Sequence, residues 1–236
     1  MTKLSDAIQS ARRHGGRSLG FGATSGADQP KRGLLIASVG NDAAGADVQI
    51  VLEAESVATA VAAAGAIPIG LGPAALTSDA AAAAQQASAS FAVFDPATTN
   101  ADALLNEELE YCVRVALDAD EGQLRAIGSL RPVLIILSSL SDPLPVTEML
   151  ALRRAVMLTG APAAVRVEPG ASAPFLQSLR DSGVIALGLA DPSSADVDAL
   201  RARIAELPEP AHKRRGDGGA IVPGIVSGEA DDDFDD

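Results

Sequence analysis

A chain of 236 residues that is 47% hydrophobic is long enough to bury one sizeable core, and with no Trp, one Tyr and five Phe that core is filled by aliphatic side chains and alanine. A formal charge of −13 argues against nucleic acid and anionic membrane surfaces as partners, because both recruit clustered Lys and Arg. The single cysteine, Cys112, permits no internal disulfide, and its apolar surroundings mark it as a small buried hydrophobe rather than a reactive thiol.

In chain order, MTKLSDAIQSARRHGG has no apolar stretch of the signal-peptide kind, while Leu4, Ile8 and Ala11 share one face of a helix that Gly15 and Gly16 stop. After a loop, ATSGADQPKRG, a rhythm of short apolar runs sets in, at 34–39, 48–52, 67–71, 91–94, 111–117, 133–137, 163–167 and 184–189. Helical segments lie between most of them, from ESVATAVAAAG to SADVDALRARIAEL, although the first connection, GNDAAGAD, is too short for a full helix. The uncharged stretch 56–78 is interrupted by Gly65, Pro68, Gly70, Gly72 and Pro73, which fits a helix and a strand rather than a membrane span, so a cytoplasmic location is expected. Eight buried strands alternating with about seven helices predict parallel pairing with right-handed crossovers, and eight is the number that closes a (β/α)8 barrel. A doubly wound open sheet is the competing α/β architecture; it usually has fewer strands and a Gly-rich first turn, and neither is present. Three units are therefore expected: an N-terminal helix and capping segment over 1–32, the barrel over 33–207, and a disordered acidic tail over 208–236. The tail carries eight acids and three bases, a net −5, around an apolar island, AIVPGIV; it reads as a solubilising segment or as a docking segment for a protein partner or for the barrel.

Two phrases repeat across the chain: FAVFDPATTNADAL from Phe91 and IALGLADPSSADVDAL from Ile185. Each ends an apolar run in Asp-Pro, a helix-start signature, with the cap itself expected at Thr99 or Asn100 and at Ser193 or Ser194. Asp95 and Asp191 then stand at strand carboxyl ends, the face where barrels keep their chemistry. They read either as structural turn residues or as ligands to a metal.

Strand alternation puts Cys112, Arg114, Ala116 and Asp118 on one face of the fifth run and Val113, Val115 and Leu117 on the other; in the seventh run Ala164, Arg166 and Glu168 oppose Val165 and Val167. With the branched residues facing the helices, Arg114 and Arg166 point into the barrel. By the same rule Gln49, Val51 and Glu53 face inward on the second run, and Gly70 and Gly72 on the third. A buried guanidinium needs a carboxylate or an anionic ligand. One reading is an internal salt-bridge network of Arg114 and Arg166 with Glu53, Asp118 and Glu168. The other is a pocket in which Arg114, Arg166 and Ser138 bind an anionic metabolite while Glu53, Asp118 and Glu168 do acid–base work. Asp95 and Asp191 would hold a hard divalent cation, Mg²⁺ or Mn²⁺. The only lysines are Lys3, Lys31 and Lys213 and the only histidines His14 and His212, all outside the strands, which excludes Schiff-base chemistry, a His-based zinc centre and a Ser-His-Asp triad in the barrel. The Gly-rich phosphate loop expected after the seventh or eighth strand is absent as well.

In element order and length, residues 33–207 resemble an aldolase-type TIM barrel. Members that handle pyruvate-like enolates with a divalent metal use an Arg with Glu and Asp ligands at strand ends, and Glu53, Asp95, Arg114, Arg166 and Glu168 are residues of that type, with no counterpart to the usual His base. The resemblance implies a metal-assisted lyase or isomerase acting on a small carboxylate or phosphorylated metabolite. The missing Lys and His favour instead a non-catalytic binding or scaffold barrel whose tail recruits a partner.

Overall fold

A computed structural model of the protein describes residues 3–13 and 33–208; most of the expected tail and of the segment between the first helix and the first strand lies outside them. The chain opens with α1 (Leu4–Arg13). It continues through β1 (Leu35–Val39), β2 (Val48–Val51), α2 (Ala54–Ala64), β3 (Ile69–Leu71), α3 (Ser78–Gln86) and β4 (Phe91–Phe94). A 3-10 turn (Ala101–Leu104) leads to β5 (Glu110–Val115), α4 (Glu121–Ser129), β6 (Leu134–Leu137), α5 (Val146–Thr159), β7 (Ala163–Arg166), α6 (Ala173–Asp181), β8 (Val184–Ala190) and α7 (Ser194–Glu206). All eight apolar runs form strands, paired in parallel in sequence order, and β8 pairs back on β1 to close the ring. Among the described residues no helix is long and apolar enough to cross a membrane.

The first crossover is the departure that the short GNDAAGAD connection foretells: β1 and β2 are joined by a loop without a helix. The loop supplies backbone partners to polar groups of the first two strands. Ser38 Oγ donates to Asp42 O, Gln49 Nε2 to Gly40 O at 3.2 Å, and the Asp47 carboxylate accepts from Ile36 N at 2.9 Å. This corrects the expected facing of the second strand. Gln49 and Val51 lie outward, with Val51 in the shell between barrel and helices, while Val48 and Ile50 belong to the interior. Each phase of β2 carries a branched apolar residue, Val48 and Ile50 on one and Val51 on the other, so alternation alone could not choose; the Gln49 amide, which donates to Gly40 O, marks the outer face.

The helix predicted at the N-terminus closes the lower end of the barrel. Leu4, Ile8 and Ala11 are buried among Leu35, Phe91, Leu134 and Ile185, the amino-terminal ends of the strands. Ser5, through its backbone N–H (3.0 Å) and its hydroxyl, donates to the carboxylate of Glu110 at the start of β5. Helix α7 begins in a capping box between Ser193 and Asp196, whose carboxyl is held below its ordinary pKa by the Ser193 hydroxyl and backbone N–H.

Ile8→Ala removes three methyl-sized groups from the floor of the barrel and is expected to cost about 2–5 kcal/mol, the range for buried aliphatic truncations. Urea denaturation measures it, and a loss below about 1 kcal/mol would mean that α1 does not seal the core.

Candidate functional site

In an eight-stranded barrel of shear eight, the strands are staggered by about one residue each, so inward side chains stack in layers of four drawn from alternate strands. The registers here, with Val39 opposite Ile50, Arg114 opposite Ile136 and Arg166 opposite Gly188, define those layers from the closed end upward. Val48, Phe91, Leu134 and Ala186 form the lowest. Ala37, Gly70, Cys112 and Ala164 come next, followed by Ile50, Val93, Ile136 and Gly188. Above them lie Val39, Gly72, Arg114 and Arg166, and then Leu52, Asp95, Ser138 and Ala190 at the mouth. Arg114 and Arg166 therefore share one layer, as the alternation of Val-Arg-Val in β5 and β7 predicts.

The layer below the arginines and the Ile50 layer is unusual for such a barrel, since its four members are Ala, Gly, Cys and Ala where bulky branched residues normally dominate. Part of that space is taken by a ring from below: a Cβ on Gly70 would stand 2.2 Å from the Phe91 ring. Gly72 is likewise demanded by packing, with the Ile50 Cγ2 methyl 2.6 Å from where its Cβ would be. On β8, by contrast, a Cβ on Gly188 would be accommodated without a clash, its nearest neighbours 3.9 Å away. The result is a cavity of about 670 Å³ that runs from Leu4 of α1 at the floor of the lumen to Asp95, Ser138 and Arg166 at its mouth, and extends past Val115 and Leu137 to Ala119, Gln123 and Ile127 beside α4. Its wall is largely aliphatic. Cys112 is fully buried in the β5 wall, and burial with the Glu110 carboxylate nearby pushes its thiol pKa up, so it has no thiolate character.

The two arginines have different surroundings. Arg114, half-buried, crosses to the carboxyl end of β3, where the absence of a side chain at Gly72 leaves room; Nη1 donates to Pro73 O at 2.7 Å and Nη2 to Gly72 O at 2.9 Å. Those carbonyls satisfy its donors without cancelling its charge. Arg166 is exposed at the cavity wall and has no ion pair or hydrogen bond among the described residues. The expected salt-bridge network of the two arginines with Glu53, Asp118 and Glu168 is therefore not formed among the described residues. Glu53 sits in the N-cap position of α2 rather than inward, and Asp118 and Glu168 are exposed beyond the ends of β5 and β7. All three lie at the rim, outside the cavity lining.

Asp95 and Ser138 do line the cavity, on the layer above the arginines. Asp95 Oδ1 accepts from Ala97 N at 2.9 Å, closing the Asp-Pro turn. The following cap positions are Asn100 and Ser193, each within the pair expected. Asp191, with φ of 41°, lies against Gly40 on the β1 side; a Cβ on Gly40 would stand 2.2 Å from its Oδ1. Asp95 follows β4 and Asp191 follows β8, so half the ring separates them, and among the described residues no group of three His, Cys, Asp or Glu is gathered to hold a metal. These residues do not fit the expected Mg²⁺ or Mn²⁺ site.

The residues that alternation did not single out are the small ones, Ala37, Ala186 and Gly188, and the lumen side of β2. Their signal was present in the sequence as alanine or glycine at matching depths of neighbouring strands, but it becomes legible only with the register.

Solved structures similar to this chain share its fold. A 3-keto-L-gulonate-6-phosphate decarboxylase from Vibrio cholerae aligns with a TM-score of 0.60 at 12% identity, over 72% of this chain and 97% of that one. KGPDC from Streptococcus mutans aligns at 0.58 and 10% identity, over 72% and 97%. A mutant tryptophan synthase alpha-subunit from Pyrococcus furiosus aligns at 0.55 and 15% identity, over 75% and 98%. No family model and no curated protein matches the sequence. The closed ring, its order and these likenesses establish a TIM (β/α)8 barrel fold.

The layer geometry has a direct check by denaturation. Gly70→Ala is expected to lose about 1–3 kcal/mol by forcing the Phe91 ring aside, whereas Gly188→Ala is expected to change stability by less than about 0.5 kcal/mol. Equal losses would refute the assignment of packed and open sides.

Proposed function

We propose that this barrel binds a small anionic metabolite, a carboxylate or a phosphorylated compound, at the mouth of its lumen, and acts on it as a lyase or isomerase. The observation that carries the reading is Arg166: a guanidinium at the wall of a concave site, sharing a layer with a second arginine, and left without a protein partner among the described residues. A forked cation in that position is suited to a carboxylate or phosphate in bidentate geometry. Arg114, fixed on the Gly72 and Pro73 carbonyls, adds positive potential without having to move. Ser138 supplies a hydroxyl one layer higher, and Asp95 is the carboxylate of the lining available to take up or return a proton. Glu53, Asp118 and Glu168 at the rim would act only on a ligand extending past the mouth. No step is assigned to a metal, because the carboxylates are not grouped for one.

Support for lyase chemistry comes from the fold neighbours, one of which is named for decarboxylation of a sugar phosphate. The second reading, a barrel that binds without catalysis, is favoured by a specific feature: the described barrel contains neither His nor Lys, and its one lining carboxylate is engaged by the backbone of its own turn.

Arg166 makes no contact that the fold needs, so Arg166→Gln is expected to leave the melting temperature of the free protein unchanged while abolishing the stabilisation that 2-oxo acids or sugar phosphates give the native chain. Thermal shift measures both. An undiminished ligand response in the variant would refute the site, and binding without turnover of any stabilising ligand would select the second reading.

A further inference from the structure

Below the arginines the cavity continues into the lumen, where its lining holds no polar side chain to meet a sugar or a dicarboxylate. From Phe91 in the lowest layer to Asp95 at the rim is four residues of strand, roughly 13 Å at the usual rise. Over that depth, as far as the arginines, the lining is apolar throughout, with the small residues Ala37, Ala164, Ala186 and Gly188 beside bulkier ones such as Phe91 and Ile136. The Ala and Gly positions of β7, β8 and β1 line this part of the cavity, and a Cβ on Gly188 would fit there without a clash, its nearest neighbours 3.9 Å away. Water gains little there, since it needs two to four polar partners. Resting on the reading that Arg166 receives an anionic head, we infer that the ligand is amphipathic: a carboxylate or phosphate carrying an unbranched aliphatic tail that descends along β7 and β8 towards Leu4. Volume, apolar wall and cationic rim match that chemistry together. A free sugar phosphate would leave the lower half of the lumen empty.

The test titrates the full-length protein with 2-oxo acids of increasing length, pyruvate, 2-oxohexanoate and 2-oxodecanoate, by calorimetry. Affinity is expected to rise by about fourfold per methylene until the lumen is filled, from the transfer free energy of a buried CH₂. Gly188→Leu, which places a side chain into the open side, is expected to weaken 2-oxodecanoate at least tenfold and to leave pyruvate unchanged. Arg166→Gln is expected to weaken the whole series. Pyruvate binding through Arg166 with no gain along the series would overturn the tail while sparing the anion site. A gain that survives Gly188→Leu would overturn the inference by locating the tail elsewhere, and a series that Arg166→Gln leaves unweakened would overturn it by locating the head elsewhere. Failure of every acid to bind would overturn both readings. Should Gly188→Leu not fold, Ala186→Val in the lowest layer gives the same readout.

Discussion

Closure of eight staggered strands leaves no freedom in where an inward side chain goes. Each position falls into a layer of four from alternate strands, and whatever a layer lacks in volume must be supplied by the layers above and below or remain empty. In this barrel the layer of Ala37, Gly70, Cys112 and Ala164 lacks volume on every strand. Phe91 and Ile50 lean in to repair the β3 side, at the cost of fixing Gly70 and Gly72 as glycines. The β7–β8–β1 side shows no such close approach, and its small residues Ala37, Ala164, Ala186 and Gly188 line the cavity. The cavity, its depth, and the position of the arginines as a rim above an apolar well all follow from that asymmetry.

The closed lower end belongs to the same constraint. A hollow lumen open at both ends would expose apolar wall to water, and α1 prevents it by inserting Leu4, Ile8 and Ala11 and anchoring Ser5 on Glu110. The upper end is arranged oppositely, with charge and turns in place of apolar side chains. Asp142 holds the Ser172 cap of α6, Asp95 closes its own turn, and Arg114 ties β5 to the end of β3. One end is thus sealed and the other polar, which leaves the lumen accessible from the C-terminal face.

Much of the architecture was legible in the sequence because it is written locally. Eight apolar runs, the amphipathic face of α1, the helix-less first crossover and the two Asp-Pro joints each rest on residues a few positions apart. The inward arginines were legible too, since a charge between two valines in a buried strand has only one other face to occupy. What was not legible depends on which partners the closed fold brings together. Gln49 faces outward because Gly40 O accepts its amide, which reverses the facing expected for β2 and removes Glu53 from the interior. Arg114 meets carbonyls of Gly72 and Pro73, more than forty residues away, rather than a carboxylate. Asp95 and Asp191, alike as sequence phrases, are separated by half the ring. The emptiness of the lumen needed the register of all eight strands before four small residues could be seen as one layer.

The claim on which the site, its arginines and the ligand class all rest is that the lumen beneath Arg166 is open. Crystals of the ligand-free protein held under xenon test it most directly, because a dry apolar cavity takes up xenon. Xenon density bounded by Ala37, Ala164, Ala186 and Gly188 is the predicted result. A lumen without xenon, with Ile136 and Val39 collapsed onto Gly188, would contradict the account.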